Sequence, residues 1–276
     1  RTPRGCSNTV LRFINVSPAR SREPASTSKG AQVRIKYPQA GRLVYADASS
    51  ATRSFWEEHW GALDERTFAL ADQGYLQWLE TPFRRHLPRQ GKILEAGCGP
   101  GQVLRAMQVR GYDTEGVEWA ADLVGRVNRF RPDIPIRAGD ATALEVPDGS
   151  YRAVVSLGVA EHRRDGPEPF VREAWRILEP QGTLLMSVPH YHWLRRWRYR
   201  RPDTPTDRLD FYQYAFRPEE FAAILEAQGF RLVARYGYAA WESLCEDLPA
   251  VRALERLPVV GPRMQGLVNR LPGLSR

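Results

Sequence analysis

Five residues between a short apolar run and a predicted helix have the composition of a cradle for an anion or a nucleotide. They are Gly97, Cys98, Gly99, Pro100 and Gly101. Glycines at this spacing let the backbone approach a ligand, and the N-terminus of the next helix supplies unpaired N–H groups and the positive end of its dipole. Taken alone, such a loop is also compatible with a tight turn between a strand and a helix.

Gln102 and Glu118 limit the classes of ligand that the loop could bind. A dinucleotide fingerprint needs a small residue at its sixth position, where this chain has Gln102, and no Gly-Lys-Ser/Thr of a Walker-type loop follows. Glu118 closes the next predicted strand, and an acid there hydrogen-bonds ribose hydroxyls in nucleoside-binding α/β folds. The pattern favours a nucleoside ligand and disfavours a nicotinamide oxidoreductase.

Titratable side chains follow the fourth and fifth predicted strands. Glu161 and His162 come after the fourth, and His190, Tyr191 and His192 come after the fifth. Ligands bind at the carboxyl ends of strands in open α/β sheets, so His162 is the best candidate for a general base, with Glu161 beside it. The alternative is that His162 packs beside the ligand and bonds to the backbone. No cysteine or carboxylate arrangement accompanies the histidines, so no metal is expected.

The elements that position these residues alternate between strand and helix. Short apolar runs are separated by amphipathic segments of about ten residues, which predicts βαβ units and a parallel sheet. The predicted strands are 92–96, 114–118, 134–138, 151–157, 183–188 and 230–236, and the predicted helices are 102–110, 120–130, 167–178 and 218–228. The fold class is α/β, a doubly wound and mostly parallel sheet with helices on both faces.

Ordered motifs extend over most of this pattern. They are 92–104 (KILEAGCGPGQVL), 116–118 (GVE), 138–141 (AGDA), 154–162 (VVSLGVAEH) and 176–189 (RILEPQGTLLMSVP), followed by 216–230 (FRPEEFAAILEAQGF). Together they resemble the motifs of the class I S-adenosylmethionine-dependent methyltransferases, of the small-molecule type found in ubiquinone and menaquinone biosynthesis. The resemblance covers about residues 52–238 and implies a Rossmann-like fold.

The resemblance also implies a site for S-adenosyl-L-methionine. Glu95 and the loop backbone would hold the methionine part, Glu118 the ribose hydroxyls, and Asp140 with Ala141 the adenine edge. Cys98 would serve close packing. The full set of expected cofactor-binding residues is Glu95, Gly97, Cys98, Gly99, Pro100, Gly101, Glu118, Asp140, Ala141, Leu157 and Gly158. A sulfonium methyl is already activated, so a general base is needed only if the acceptor loses a proton.

The acceptor side has no comparable motif. Five side chains are expected to form the pocket wall: His190, Tyr191, Trp193, Tyr212 and Tyr214. Phe55, Trp56 and Trp60 are expected in the core, with closure over the cofactor as the alternative. Segment 193–201 (WLRRWRYRR) interleaves aromatic residues with five arginines. It is interpreted as an amphipathic segment with Trp193, Leu194 and Trp197 inward and its arginines in solvent, as a contact with a small molecule or lipid surface, or as an RNA contact.

The net charge of +8 lies mostly at one end of the chain. Residues 1–50 carry +7 and residues 51–276 carry +1, which weakens the case for nucleic acid as a partner. No apolar run reaches the roughly 18–20 residues that span a bilayer. The three cysteines form no C-x-x-C pair, so a reducing compartment, the cytoplasm, is expected.

Four regions are expected along the chain. They are a disordered basic tail at 1–50, a helical segment at 51–88 whose helices end near 81–82, a methyltransferase core at 89–240 and a helical C-terminal tail at 241–276. The family's sheet has a seventh, antiparallel strand beside the fifth, but no extended run follows Tyr238. The expectation is a six-stranded sheet with an exposed edge, in a chain that is truncated or has lost that strand.

The expected function is methyl transfer from S-adenosylmethionine to a small-molecule or lipid-like acceptor. The alternatives are an RNA or protein methyltransferase, or a regulatory protein that binds the cofactor without catalysis. The expected partners are a small-molecule substrate and, peripherally, a membrane or lipid. The sequence does not indicate an oligomeric state.

Overall fold

The computed structural model describes residues 9–14, 35–47, 51–200, 209–238, 244–245, 247–248 and 250–251. The strands are β1 (Thr9–Ile14), β2 (Ile35–Gln39), β3 (Arg42–Asp47), β4 (Ile93–Ala96), β5 (Thr114–Glu118), β6 (Ile136–Ala138), β7 (Tyr151–Leu157), β8 (Leu178–Val188), β9 (Asp210–Ala215) and β10 (Arg231–Gly237). The helices are α1 (Arg53–His59), α2 (Glu65–Phe68), α3 (Glu80–His86), α4 (Gln102–Val109), α5 (Ala121–Phe130), α6 (Glu168–Ile177), α7 (Trp193–Arg198) and α8 (Pro218–Ala227). None of the helices in these ranges is long and apolar enough to cross a membrane.

The main sheet has the strand order β10-β1-β8-β7-β4-β5-β6. Each neighbouring pair runs parallel. The chain moves outward from β4 through β5 to β6 and then returns to β7 on the other side of β4. The order therefore reverses between β4 and β7, and ligands bind outside the carboxyl ends of the strands at such a point.

Helices cover both faces of this sheet. Side chains alternate along each strand, so Ile93 and Val155 enter a core with residues of α4 and α5, while Leu94 and Val154 enter a second core with residues of α6 and α8. All four are completely buried. The predicted α/β, doubly wound, Rossmann-like fold is confirmed.

The seventh strand comes from the N-terminal region. β1 pairs in parallel with β8, from Thr9 opposite Thr183 to Ile14 opposite Val188, and with β10 on its other side. The expectation of six strands and an exposed edge is therefore wrong. The expected disordered tail is also wrong for residues 9–14 and 35–47, which form strands. Most of the expected C-terminal tail lies outside the described residues.

A second, three-stranded antiparallel sheet has the order β2-β3-β9. Ala40 and Gly41 join β2 to β3 with φ values of 48° and 85°, the geometry of a two-residue hairpin turn. Alanine seldom adopts a positive φ, so the sequence does not predict this hairpin turn. The Tyr191 N–H donates to the Phe216 carbonyl at 2.8 Å, which joins the chain after β8 to the end of β9. The small sheet thus lies at the carboxyl edge of the main one.

The segment between the two sheets consists of short pieces. It contains α1, α2 and α3, and two 3₁₀ turns, Ala71–Gln73 and Gln77–Leu79, lie between α2 and α3. The prediction that the helices end near 81–82 is wrong, because Pro82 lies in the first turn of α3, where its missing N–H is not needed. Phe68 and Phe83 are fully buried and anchor the segment on the first core.

Candidate active site

The glycine loop joins β4 to α4 in left-handed backbone, with φ values of 76° at Gly97, 53° at Gly99 and 84° at Gly101. A Cβ on Gly97 would lie 2.4 Å from Cγ2 of Val159, so a larger residue does not fit. The N–H groups of Gly97 and Cys98 both donate to the Val117 carbonyl, at 2.8 and 3.1 Å. The loop is therefore tied to the end of β5, and the buried Pro100 continues it toward α4.

Cys98 fills space beneath the loop. Its Sγ lies 2.7 Å from the place that a Cβ on Gly116 would occupy, and burial raises the pKa of the thiol well above its usual range. A buried thiol of this kind is unreactive, which supports the packing role. Within the described ranges, no three His, Cys, Asp or Glu side chains come together as a metal site.

Glu118 holds the loop from the end of β5. Its Oε2 accepts a hydrogen bond from the Gly99 N–H at 2.8 Å, and its Oε1 accepts one from the Ala120 N–H at 2.9 Å. Each carboxylate oxygen has two lone pairs, so both can accept a further hydrogen bond. The buried carboxylate can thus shape the loop and bind ligand hydroxyls together.

Glu95 is a buried carboxyl group at the end of β4. It is 3% exposed, and its Oε2 has no hydrogen-bond partner among the described residues. Burial, reinforced by the negative charge of Glu118, raises its pKa to about 8. A buried polar atom without a partner is costly. A bound group that carries a positive charge or N–H donors would satisfy this oxygen and ionise the carboxyl.

Asp140 and Trp119 flank the far end of the site. Oδ1 of Asp140 accepts hydrogen bonds from N and Oγ1 of Thr142, at 2.8 and 2.7 Å, and its exposed side chain precedes the half-buried Ala141. The Gly139 N–H donates to the Glu118 carbonyl at 3.0 Å, which brings this turn to the end of β5. Trp119 follows Glu118 and is 40% exposed. A flat ring and a carboxylate are thus available to a heterocyclic base.

Glu161 and His162 lie in a 3₁₀ turn that closely follows β7. Glu161 is 1% exposed, its Oε2 has no partner among the described residues, and burial raises its pKa to about 8. Nδ1 of His162 lies 2.9 Å from the Tyr212 carbonyl, so Nδ1 carries a proton and Nε2 is the basic nitrogen of the neutral ring. Between them and β7, Gly158 has a φ of 72°, and its N–H donates to the Ser187 carbonyl at 3.3 Å. The half-buried Leu157 packs on the first core.

Aromatic rings from α1 cover this part of the crevice. Trp56 meets the His162 ring edge-on at 4.9 Å, and Tyr212 meets its ring at 5.0 Å. Trp60 lies on Gly99, where an added Cβ would come 2.7 Å from Cζ2 of the indole. Trp56 and Trp60 also pack, partly buried, on the first core, as expected. The contact of Trp60 with Gly99 in addition supports the alternative, closure over the loop.

The expected pocket wall is assembled only in part. Tyr191 and Tyr212 are buried in one cluster, and Tyr212 contacts His162. Tyr214 turns its hydroxyl to the Arg164 carbonyl at 2.9 Å, and His190 is buried with its carbonyl accepting from Arg195 at 3.2 Å. An open cavity of about 160 Å³ beside His162 is lined by Ala51, His162, Arg164, Asp210 and Phe211.

The expected place of Trp193 in the pocket wall stays a prediction, and Leu194 packs inward as expected, on Leu244 and Cys245. The interpretation of segment 193–201 with its tryptophans inward and its arginines in solvent is wrong. The Trp193 side chain is 61% exposed and that of Trp197 is 56% exposed, whereas Arg195 is completely buried. The reason is an ion pair between Arg195 Nε and Asp247 Oδ2 at 2.5 Å, which sets the orientation of α7. Asp247 lies so far along the chain that no local pattern shows this pairing.

Comparison with known families identifies the protein class. The profile of a methyltransferase domain family matches residues 64–235. The chain belongs to that family. It is a class I S-adenosylmethionine-dependent methyltransferase, as its motifs predict, and S-adenosylmethionine is its cofactor.

Two relatives and one solved structure illustrate the similarity. A probable S-adenosylmethionine-dependent methyltransferase of Mycolicibacterium smegmatis is 30% identical over 188 residues, which are 66% of this chain and 70% of that protein. A ubiquinone biosynthesis O-methyltransferase of Chromobacterium violaceum is 31% identical over 111 residues, 38% of this chain and 47% of that protein. The crystal structure of 1,6-didemethyltoxoflavin-N1-methyltransferase of Burkholderia thailandensis has 18% identity and a TM-score of 0.46, with 71% of this chain and 88% of that chain covered.

The residues of this methyltransferase fit the cofactor. The orphaned oxygen of buried Glu95 lies at the end of β4 beside the loop, where a cation or N–H donor would satisfy it. Trp119 lies beside these residues, and the sequence analysis does not predict it. Its position directly after Glu118, the acid expected to bind the ribose, is the signal that could have found it.

Proposed function

We propose that this methyltransferase acts on a small-molecule acceptor with an apolar ring, and that the acceptor atom is a ring hydroxyl. The aromatic enclosure of His162 by Trp56 and Tyr212 is the observation that carries this proposal. An open cavity of about 160 Å³ beside His162, lined in part by Phe211, leaves space next to the ring. The O-methyltransferase of ubiquinone biosynthesis, which is similar over part of the chain, supports the same acceptor class.

The chain's own residues would divide the work in this way. Glu118 and Glu95 bind and orient the cofactor, which supplies an activated methyl group when it is bound. Nε2 of His162 accepts the hydroxyl proton of the acceptor, because the Tyr212 carbonyl keeps the other proton on Nδ1. Trp56 and Trp60 exclude water from the crevice, which protects the alignment of acceptor and methyl group.

The test is a transfer assay with labelled S-adenosylmethionine. Purified protein is incubated in parallel with a set of catechols and hydroquinones, with total RNA and with a protein extract, while calorimetry measures binding of S-adenosylhomocysteine. We expect S-adenosylhomocysteine to bind and label to enter the phenolic compounds. Label only in RNA or protein would replace the proposed acceptor, and binding without transfer to any extract fraction would indicate a non-catalytic binding protein.

A further inference from the structure

Helix α7 buries a charged side chain and exposes aromatic ones, the reverse of an ordinary surface helix. Arg195 is completely buried, whereas Trp193 and Trp197 are more than half exposed. Residues four positions apart lie on the same side of a helix, so the two indoles form one aromatic ridge. Surface helices normally bury such residues and leave arginine in solvent. The inversion therefore calls for a physical cause and suggests a use.

The cause is a buried charge cluster under the helix. Asp247 Oδ2 pairs with Arg195 Nε at 2.5 Å, and its Oδ1 pairs with Lys36 Nζ at 2.6 Å. The Tyr199 hydroxyl donates to Oδ1 of the same aspartate at 3.1 Å. Turning the helix to bury its indoles would break these contacts and strand the charges in the interior. The tryptophans are thus held at the surface.

The exposed face combines the indoles with arginines. Arg196, Arg198 and Arg200 are exposed, and the Arg200 guanidinium stands 5.4 Å from the centre of the Trp197 ring. No acidic residue occurs between 193 and 200. We define the basic aromatic face as Trp193, Arg196, Trp197, Arg198 and Arg200.

We propose that the basic aromatic face docks this protein on the surface of an anionic lipid bilayer. Tryptophan partitions to the boundary between headgroups and acyl chains, and arginine is attracted to anionic headgroups. Charge complementarity with anionic headgroups favours a bilayer, and a net charge of only +1 over residues 51–276 weakens the case for a long nucleic acid. The docking is peripheral, and it goes beyond the proposed acceptor because it needs no methyl transfer.

The basic aromatic face lies on the same side of the molecule as the candidate acceptor site. Tyr199 is buried in the same cluster as Tyr212, which contacts His162. A bilayer on α7 would therefore lie on the acceptor side of the molecule, where a lipophilic compound can pass from the membrane to the crevice.

The test is flotation of the full-length protein with vesicles. Vesicles of phosphatidylcholine alone are compared with vesicles that also contain phosphatidylglycerol, at low and high salt. We expect binding to the anionic vesicles only, weakened by salt. We also expect a loss of about tenfold or more in Trp193→Ala/Trp197→Ala and in Arg196→Glu/Arg198→Glu/Arg200→Glu.

Matched variants separate this face from general stickiness. Leu70→Ala/Tyr75→Ala removes two exposed apolar side chains, and Arg231→Glu/Arg235→Glu reverses two exposed charges on β10. Both should bind vesicles like the parent. Binding that persists in the α7 variants, equal losses in the controls, or binding of single-stranded RNA with no binding of vesicles would each overturn the proposal. S-adenosylhomocysteine affinity, measured on every variant, shows that the fold and cofactor site are intact.

Discussion

The Trp60 indole lies on Gly99 so closely that a Cβ on this glycine would come 2.7 Å from Cζ2 of the ring. Trp60 is the C-cap of α1, and Gly99 is the centre of the cofactor loop. The same N–H of Gly99 donates to Glu118. The covering helix, the loop and the Glu118 carboxylate therefore depend on one another's position.

Gly99→Ala should weaken both cofactor binding and stability. The added methyl group meets Trp60, and alanine is strained at a φ of 53°, which costs about 1–2 kcal/mol. Thermal unfolding and calorimetry with S-adenosylhomocysteine measure the two effects. In a Trp60→Ala background the steric part should disappear and the backbone part remain. Additive losses in the double variant would mean that the two residues do not interact.

Glu95 should make cofactor affinity depend on pH. Its pKa is about 8 in the unliganded protein, and a bound cation stabilises the ionised form, so binding should release a proton. Affinity for S-adenosylmethionine is then expected to rise with pH until about 8, by up to about tenfold per pH unit. Calorimetry in buffers of different ionisation enthalpy counts the released protons.

Glu95→Gln should remove this dependence, whereas Glu115→Gln on β5 should keep it. The same carboxyl also sets a stability trend. Its pKa rises from 4.5 to about 8 on folding, so the free energy of unfolding should decline from about pH 4.5 to 8 in the parent. A parent protein whose affinity is flat between pH 6 and 8 would contradict this account of Glu95.

His162→Ala should reduce turnover about 100-fold or more if Nε2 is the base, with little change in S-adenosylhomocysteine affinity. His86→Ala is the control, because His86 bonds to the Tyr236 hydroxyl at 2.8 Å and contacts no candidate acceptor residue. Unchanged turnover in His162→Ala would leave His162 with a packing role only.

Asp247→Asn should destabilise the fold by about 3–5 kcal/mol, because Lys36 and Arg195 would each lose a buried ion pair. The pairing lowers the pKa of Asp247 from 3.8 to about 2, so its stabilisation is present above pH 4 and lost as the pH falls toward 2. Asp72→Asn is the matched control. Asp72 also contacts two arginines, Arg105 and Arg131, but at the surface, where we expect a loss of about 1 kcal/mol or less. Equal losses in the two variants would show that the buried cluster carries no special stability.

The residues expected to bind the cofactor could be predicted from the sequence. The strand, the three loop glycines and Glu118 are recognisable because each depends on local backbone geometry and on residues close along the chain. The strands β4 to β8 and β10 and the helices α4, α5, α6 and α8 follow the predicted pattern for the same reason, since alternation and helical spacing show which residues are buried. Strand β9 is not predicted. These signals do not require knowledge of any distant partner.

Other features depend on contacts between residues that are far apart in the sequence, and these are seen only in the folded structure. β1 is a six-residue strand, and nothing in its own sequence predicts that it pairs with β8 and β10. The spacing of α7 is the same whether its indoles or its arginines face inward, and only the distant Asp247 selects the second arrangement. The burial of Glu161 and the contact of Trp56 with His162 likewise arise where separate elements meet. The residues around the expected acceptor could therefore not be predicted from the sequence, because only such contacts bring them together.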